Sequence, residues 1–370
     1  MDLSLTEEQS LVQEVARKFL VKECPSTLVR ELEQDRLGYS PDLWKKMADL
    51  GWMKAPFAKQ YGGEGMGFLE LALVVEQMGA VLLPSPFITN TISGLAIMKF
   101  GAEEQKRALL ASIGRGELIM SLAIYEPNLK LEEGSMTTRA EMCGNDFLLF
   151  GNKTFVPDLQ AAAKFLCVAR TAKGVTVFVV DTGSSEIKLE QLPTMASDKQ
   201  WDVSFKGARV SRQGILGEEG NGWQVVESIL QWGACLWCAY MGGAADRVLQ
   251  MTVEYARQRE QFGRPIGSFQ AIQHKLADML VAVDGARLIT YEAAWKIGQG
   301  LGADFEVAAA KYWASTTFRK TAEEAMRVFA SIGYSMECDV QLYYRRSAAL
   351  QVWLGDPFFY RERVAQLMGI

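Results

Sequence analysis

The spacing of apolar residues changes twice along this chain, and that change constrains the fold more than any other feature. Over residues 1 to about 118, and again from about 221 to 370, apolar residues recur with a helical period. Between about 119 and 216 they form short β-branched and aromatic runs separated by turn residues. The chain is therefore expected to fold as helices, then strands, then helices.

These segments predict a three-domain α+β fold. A chain of 370 residues is too long for one ordinary core. We predict an N-terminal α-helical domain over 1–118, a central β-barrel over 119–216 and a C-terminal four-helix bundle over 217–370. The strands are too closely spaced for crossover helices between them, so the sheet is expected to be antiparallel.

Individual elements can be predicted from the same patterns. The first helix is expected to begin after Thr6. Further predicted helices are Pro41–Leu50, Phe68–Met78, Trp223–Gln258, Phe269–Gly298, Asp304–Ser331, Val340–Trp353 and Pro357–Met368. The predicted strands are Ile119–Tyr125, Thr138–Met142, Phe147–Phe150, Phe165–Arg170, Val175–Asp181 and Trp201–Phe205.

Composition excludes several classes of protein. A net charge of −5 provides no basic surface for nucleic acid. The N-terminus lacks the blocks of a signal peptide, and no apolar run is long enough for a membrane helix, so we expect a cytoplasmic protein. A metal site is not expected, because His274 is the only histidine and Cys235 and Cys238 lie inside a helical pattern. Those two cysteines are interpreted as small buried residues.

One stretch, residues 255–274, joins two long helical patterns through a turn suited to a flat, phosphorylated cofactor. Arg259 offers a bidentate fork for a pyrophosphate. Phe262 offers a ring face for stacking, and Gly263 allows the backbone to pass close to a ligand. An ordinary helix–turn–helix with a charged surface is the simpler alternative from composition alone.

The order of residues in this stretch closely resembles the signature of the acyl-CoA dehydrogenase flavoproteins, and the resemblance covers nearly the whole chain. It implies FAD as cofactor and α,β-dehydrogenation of an acyl-CoA thioester. Such a site needs a carboxylate base for the α-proton and a hydrogen-bond donor for the thioester carbonyl. The flavin accepts the β-hydrogen as hydride, and an electron-transfer flavoprotein is the usual electron acceptor.

The chain departs from the family at both positions where a base is expected. Leu354 stands where most members carry glutamate, and Gly233 falls at the position that a minority uses. Leu354 retains a backbone N–H able to polarise the thioester carbonyl. Asp356 is the nearest acid to the empty position, but it precedes Pro357, a sequence typical of a helix N-cap.

Flavin contacts have also been lost. The resemblance implies cofactor contacts at Arg259, Phe262, Gly263, Gly333, Phe155 and Tyr125. Tyr125-Glu126-Pro127 replaces a Thr-Glu-Pro run, and the Glu126 counterpart in the family is not the base. Phe155-Val156-Pro157 replaces Trp-Ile-Thr, and a proline has no N–H to donate. The Arg259–Gly263 turn is intact, and in this family it contacts FAD across a dimer interface.

This asymmetry predicts an α2β2 hetero-oligomer in which a partner acyl-CoA dehydrogenase subunit supplies barrel loops and base. Leu83–Phe87 and the ending Leu354-Gly355-Asp356 resemble divergent members that act on bulky cyclic or steroid-derived CoA thioesters. The expected context is therefore lipid, steroid or aromatic acid catabolism. Two alternatives stay open: a non-catalytic scaffolding subunit, and a stand-alone homo-oligomeric enzyme with Asp356 as its base. The direction of the reaction is open as well.

Overall fold

A computed structural model describes residues 4–370 and confirms the predicted order of helices, strands and helices. The helices are α1 (Glu7–Glu23), α2 (Ser26–Gln34), α3 (Pro41–Asp49), α4 (Phe68–Ala80), α5 (Phe87–Phe100), α6 (Glu103–Gly114), α7 (Trp223–Gln258), α8 (Gln270–Gly298), α9 (Asp304–Phe329), α10 (Val340–Leu350) and α11 (Pro357–Met368). The strands are β1 (Met120–Ala123), β2 (Arg139–Cys143), β3 (Asp146–Pro157), β4 (Lys164–Thr171), β5 (Gly174–Asp181), β6 (Ile187–Leu192), β7 (Gln200–Ser211), β8 (Ile215–Leu216), β9 (Glu260–Gln261) and β10 (Arg264–Pro265).

Side-chain caps fix the starts of several helices. The Thr6 hydroxyl accepts a hydrogen bond from the Gln9 N–H, and the Gln9 side chain accepts one from the Thr6 N–H. This reciprocal capping box satisfies two backbone donors at the start of α1. At the start of α3, the Ser40 hydroxyl accepts one hydrogen bond from the Leu43 N–H at 3.2 Å.

The first eight strands form one sheet with the order β6-β7-β3-β2-β4-β5-β8, in which β1 pairs with β4. Most neighbours are antiparallel, as predicted. The exceptions are β1 and β4, which run parallel over four residue pairs, and one parallel pair between β2 and β4. Parallel pairing is possible here because β2 and β3 provide the long connection that it requires.

Strand β3 is longer than predicted. It continues past Phe150 through Gly151 to Pro157, because Gly151 allows the strand to pass close to Thr138. A Cβ atom at Gly151 would lie 2.8 Å from the Thr138 Cα, and its φ of +132° also favours glycine. A bulge then interrupts the pairing with β7 between Lys153 and Val156.

The described residues group into two compact units. The helical unit comprises the chain from its first described residue to Arg30, then Gly67–Leu83 and Ala234–Ile370. The sheet unit comprises Glu31–Met66 and Pro84–Gly233. The boundaries near residues 118 and 216 stay a prediction. No helix in the described part of the chain is long and apolar enough to cross a membrane.

Close helix contacts build the core of the helical unit. A Cβ atom at Gly79 on α4 would lie 1.9 Å from the Tyr240 carbonyl oxygen on α7, so the glycine allows the two backbones to approach. Cys235 and Cys238 lie on the same helix and are fully buried, as the sequence interpretation required. Burial raises the pKa of Cys238 to about 12, which keeps that thiol protonated and inert.

Candidate active site

The predicted cofactor turn is a tight β-hairpin in the helical unit. Strands β9 and β10 pair antiparallel, with Gln261 opposite Arg264. Phe262 and Gly263 are the two central residues, with φ of +55° and +78°. Two left-handed residues in a two-residue loop are typical of a type I′ turn, in which asparagine and glycine are favoured. A phenylalanine at the first position is therefore a strained choice for which the fold gives no reason.

The predicted cofactor residues of this turn face outward, and the Phe262 ring forms a T-shaped contact with Phe269, with ring centroids 6.1 Å apart. The Phe262 side chain is 92% exposed, and a Cβ atom at Gly263 would meet nothing within 4 Å. Arg259 is exposed, and its guanidinium makes no hydrogen bond or ion pair with any described residue. Full burial of a phenyl ring is worth about 2 kcal/mol relative to exposure. The turn is therefore well placed to bind something outside this chain.

A ring stack brings a second exposed segment to this turn. Tyr255 at the end of α7 stacks on Phe329 at the end of α9, with ring centroids 4.2 Å apart. The turn follows Tyr255, and the segment 330–336 follows Phe329. Three large side chains of that segment are exposed: Ile332, Tyr334 and Met336. We call this combination, the 259–263 turn with residues 330–336, the docking surface.

Gly333 has a packing role within the docking surface. It is buried, and a Cβ atom there would lie 3.1 Å from the Phe329 Cβ and 3.3 Å from the Met326 sulfur. The glycine thus allows the segment to lie close against α9 while its neighbours point outward. Its predicted contact with a cofactor stays a prediction.

At the expected base position, Leu354 is buried and has an unusual backbone. It is 2% exposed and has φ of +55°, which costs a non-glycine residue about 1–2 kcal/mol. Its carbonyl accepts a hydrogen bond from the Tyr360 hydroxyl at 2.8 Å. Its N–H has no acceptor among the described residues. A buried N–H without a partner is rare in folded proteins and points to an acceptor supplied by a ligand.

A buried lysine holds the chain around Leu354. Lys311 on α9 is fully buried and donates to the Ser315 hydroxyl at 3.1 Å, the Gln351 carbonyl at 3.2 Å and the Gly355 carbonyl at 3.1 Å. Burial lowers the pKa of Lys311 to about 8. The sequence reasoning missed this residue. Its signal is a lysine in the apolar stripe of α9, which runs through Val307, Ala314 and Phe318.

Asp356 acts as a helix cap, and Gly233 has no ionisable side chain. Asp356 is exposed and caps α11, since its carboxylate accepts the Phe359 N–H at 2.7 Å and Pro357 occupies the first helical turn. The N-cap interpretation is therefore confirmed. Gly233 is a buried position in the middle of α7 and has no side chain to ionise.

The sheet unit contains the remaining predicted cofactor residues. Tyr125 is buried, and its carbonyl accepts the Thr154 N–H at 3.0 Å. Phe155 lies in the β3 bulge with φ of +53° and is 38% exposed. Beyond it, the Pro157 carbonyl accepts a hydrogen bond from the Ser121 hydroxyl. Phe155 offers a ring face in this region, whereas the Pro157 carbonyl is already used within the protein.

Glu126 is committed to a buried ion pair. Its carboxylate contacts the Lys153 ammonium at 2.8 Å and accepts the N–H and hydroxyl of Thr137 and the N–H of Thr138. Burial acts to raise the pKa of Glu126, but Lys153 and these donors hold it at about 2. A carboxylate that remains ionised and carries four hydrogen bonds has no capacity for proton abstraction.

The residues of the 259–263 turn fit a flavin better than those of the sheet unit do. The free Arg259 fork and the exposed Phe262 ring match the phosphates and flat ring of FAD. In the sheet unit, Phe155 offers a ring but Pro157 offers no N–H. The donor set therefore fits a flavin approached from outside the chain through the docking surface.

Fold and site together define a flavin-dependent oxidoreductase that acts on CH–CH bonds, and comparison with known proteins identifies the family. The family model for the acyl-CoA dehydrogenase N-terminal domain matches residues 6–117, and the model for the acyl-CoA dehydrogenase C-terminal domain matches residues 220–368. The chain belongs to the acyl-CoA dehydrogenase family.

Individual relatives span nearly the whole chain. A 3-(aryl)acrylate reductase of Clostridium sporogenes is 30% identical over 364 residues, covering 95% of both proteins. The ChsE4–ChsE5 complex of Mycobacterium tuberculosis contains a chain with a TM-score of 0.92 and 28% identity, covering 100% of this chain and 99% of that one. PigA, solved with FAD and proline, has a TM-score of 0.93 and 26% identity with the same coverage. These relatives support the predicted FAD cofactor.

Proposed function

We propose that this chain is one subunit of a hetero-oligomeric, FAD-dependent acyl-CoA dehydrogenase. The assembly removes two hydrogens across Cα–Cβ of a bulky or cyclic acyl-CoA thioester, and the partner subunit supplies the base. One observation carries the proposal: the chain combines a free cofactor-gripping turn, Arg259–Gly263, with a base position occupied by Leu354.

Neither of the two positions where the family carries its base holds an acid in this chain. An α-proton beside a thioester is weakly acidic, so its removal needs a positioned carboxylate. Leu354 and Gly233 have none, Asp356 caps α11, and Glu126 is saturated by Lys153 and two threonines. The base therefore comes from outside this chain.

The docking surface supports a role at the flavin of a partner. Arg259 is free to bind phosphate oxygens, and Phe262 is free to cover an aromatic ring. FAD supplies the hydride acceptor when it is bound, and an electron-transfer flavoprotein then removes the electrons. The ChsE4–ChsE5 complex offers a precedent for a chain similar to this one in an assembly with a different protein.

The relatives support a bulky or cyclic acyl group. One is an aryl acrylate reductase, and another was solved with proline, a cyclic molecule. In this chain Gly233 leaves the alternative base position without any side chain. The aryl acrylate reductase favours a context of aromatic acid metabolism.

Co-expression with a glutamate-bearing family member encoded beside this chain tests the proposal. We expect yellow, active protein from co-expression and colourless, inactive protein from this chain alone. Arg259→Leu is expected to lower both flavin content and activity of the complex by about 10-fold or more, because a charge-assisted contact is worth about 1.5–3 kcal/mol.

Arg257→Leu is the matched control, since it removes an exposed arginine two residues away without touching the turn. It is expected to leave flavin content unchanged. A partner that is equally yellow and active without this chain would instead identify a scaffolding subunit. An active lone chain would show that the base lies within it.

A further inference from the structure

The N–H of Leu354 is a donor that the fold leaves without a partner. It lies in a residue that is 2% exposed, and no acceptor in residues 4–370 contacts it. Leaving a buried N–H unpaired costs about 1–3 kcal/mol. The left-handed backbone at this residue adds a further cost. A buried and strained donor persists only if the surrounding structure holds it in place.

Lys311 holds the backbone around the Leu354 N–H in place. Its ammonium has three donors, and the structure supplies three acceptors, so every donor is used. Two of the acceptors, the carbonyls of Gln351 and Gly355, lie on either side of Leu354. The Tyr360 hydroxyl fixes the Leu354 carbonyl, and Lys311 lies 5.6 Å from the centre of the Tyr360 ring. The turn is therefore fixed at three points around the free N–H.

The charge on Lys311 is not balanced by an ion pair. The ionisable groups that face it are the Cys238 thiol from α7, with Asp356 and Tyr360 from the start of α11. Cys238 stays protonated, and the Asp356 carboxylate is used for capping. A fully buried ammonium without a paired carboxylate is costly, and packing alone gives no reason for it.

We propose that Lys311 is a positioning residue, whose contacts with the 351–355 turn present the Leu354 N–H to the carbonyl of a thioester bound to this chain. This inference rests on the proposed function, because a CoA thioester is the ligand. No proton is removed at this position. The N–H orients the carbonyl and polarises it.

Infrared spectroscopy of bound benzoyl-CoA, labelled with ¹³C at the thioester carbonyl, tests the proposal. Benzoyl-CoA has no α-hydrogen, so it reports binding and carbonyl polarisation without turnover. The full chain with its partner is compared as wild type and as Lys311→Met. We expect the labelled carbonyl band to move to higher frequency in the variant, because the donor is no longer held in place.

The partner's own site is the same in every sample, so any difference between samples arises in this chain. Amide hydrogen exchange over residues 351–353 provides a second readout, with about 10-fold faster exchange expected in Lys311→Met after loss of two hydrogen bonds. Lys320→Met, an exposed lysine on the same helix, is the control and should change neither readout. If Lys311→Met does not fold, Tyr360→Phe removes one contact at Leu354 and should shift the band in the same direction.

An identical carbonyl band in wild type and Lys311→Met would overturn the proposal, as would failure of wild type to bind benzoyl-CoA. These outcomes are separate from a failure of the proposed function, because they require neither turnover nor a base. A chain that polarises benzoyl-CoA but supports no dehydrogenation would retain this inference and refute the proposed function.

Discussion

Two buried lysines in this chain lie in opposite electrostatic environments. Lys153 contacts the Glu126 carboxylate at 2.8 Å, and both side chains are fully buried. The hydrogen bonds of Lys311 go to a hydroxyl and two carbonyls, with no carboxylate among them. A buried pair with its hydrogen bonds complete supports the fold, whereas an unpaired buried charge is retained at a cost. We therefore assign Lys153 to structure and Lys311 to the site.

Lys153→Met is expected to destabilise the sheet unit by about 3–5 kcal/mol, because it leaves the Glu126 carboxylate buried and unpaired. Urea denaturation measures this difference. Lys188→Met is the matched control: Lys188 forms an exposed pair with Glu190, and such a pair is worth less than about 1 kcal/mol. Equal effects of the two variants would contradict the structural role.

Because of the Glu126–Lys153 pair, we expect the stability of the fold to decrease in acid. The pKa of Glu126 is about 2 in the folded chain, compared with an ordinary value of 4.5 for a glutamate side chain. Between these values the unfolded chain binds more protons, so stability falls as the pH decreases from about 4.5 to 2. The full contribution is about 3 kcal/mol. Glu126→Gln should remove this part of the pH dependence. If the stability of the variant falls in acid as much as that of the wild type, the Glu126–Lys153 pair is not the cause.

Two substitutions at Asp356 distinguish a helix cap from a catalytic base. Asparagine is also a good N-cap, so Asp356→Asn should leave both stability and activity of the complex nearly unchanged. Asp356→Ala should cost about 1 kcal/mol of stability through loss of the cap. Thermal unfolding and turnover measure the two effects. Loss of activity in Asp356→Asn with normal stability would identify Asp356 as the base after all.

At the level of whole helices and strands, sequence periodicity predicted the long helices well. Helices α7 and α11 begin and end at the predicted residues, because apolar stripes, caps and the Pro357 start agree locally. Strands β6 and β8 were not predicted. Strand β6, with the sequence Ile-Lys-Leu-Glu-Gln-Leu, is charged and largely exposed at one end of the sheet order, so it lacks the usual strand signal.

The features that the sequence did not predict depend on contacts between residues far apart in the chain. The parallel pairing of β1 with β4 depends on residues far apart in the chain, which local patterns do not report. The cofactor turn was predicted as a motif, but its type I′ geometry and the 92% exposure of Phe262 were visible only in the structure. Likewise, the brace from Lys311 to Gln351 and Gly355 joins two helical regions that no spacing rule connects.

A substitution in the hairpin turn is expected to reduce flavin binding without lowering stability. Phe262→Asn places a residue that tolerates a left-handed conformation at the first position of the turn. The isolated chain should be equally stable or more stable by up to about 1 kcal/mol. The complex should nevertheless lose flavin, because the exposed ring is gone. Retention of full flavin content by Phe262→Asn would remove Phe262 from the cofactor contacts.

For the molecule as a whole, we propose that one chain alone is an incomplete dehydrogenase. Its helical unit carries the exposed 259–263 turn that we propose contacts a cofactor and the Leu354 N–H that we propose contacts a thioester, but neither unit carries a free carboxylate at a family base position. We propose that the chain assists a flavin and holds a thioester, and that it requires another subunit for proton abstraction.

The most direct test is to tag the chain in its own organism, purify it under native conditions, and determine the co-purifying protein and the flavin bound per chain. We predict a second acyl-CoA dehydrogenase subunit with a glutamate base, and FAD in a lower amount than the total number of chains. Replacement of that glutamate by glutamine should abolish dehydrogenation with flavin retained. A homo-oligomer of this chain alone, with FAD in every copy and full activity, would contradict the account.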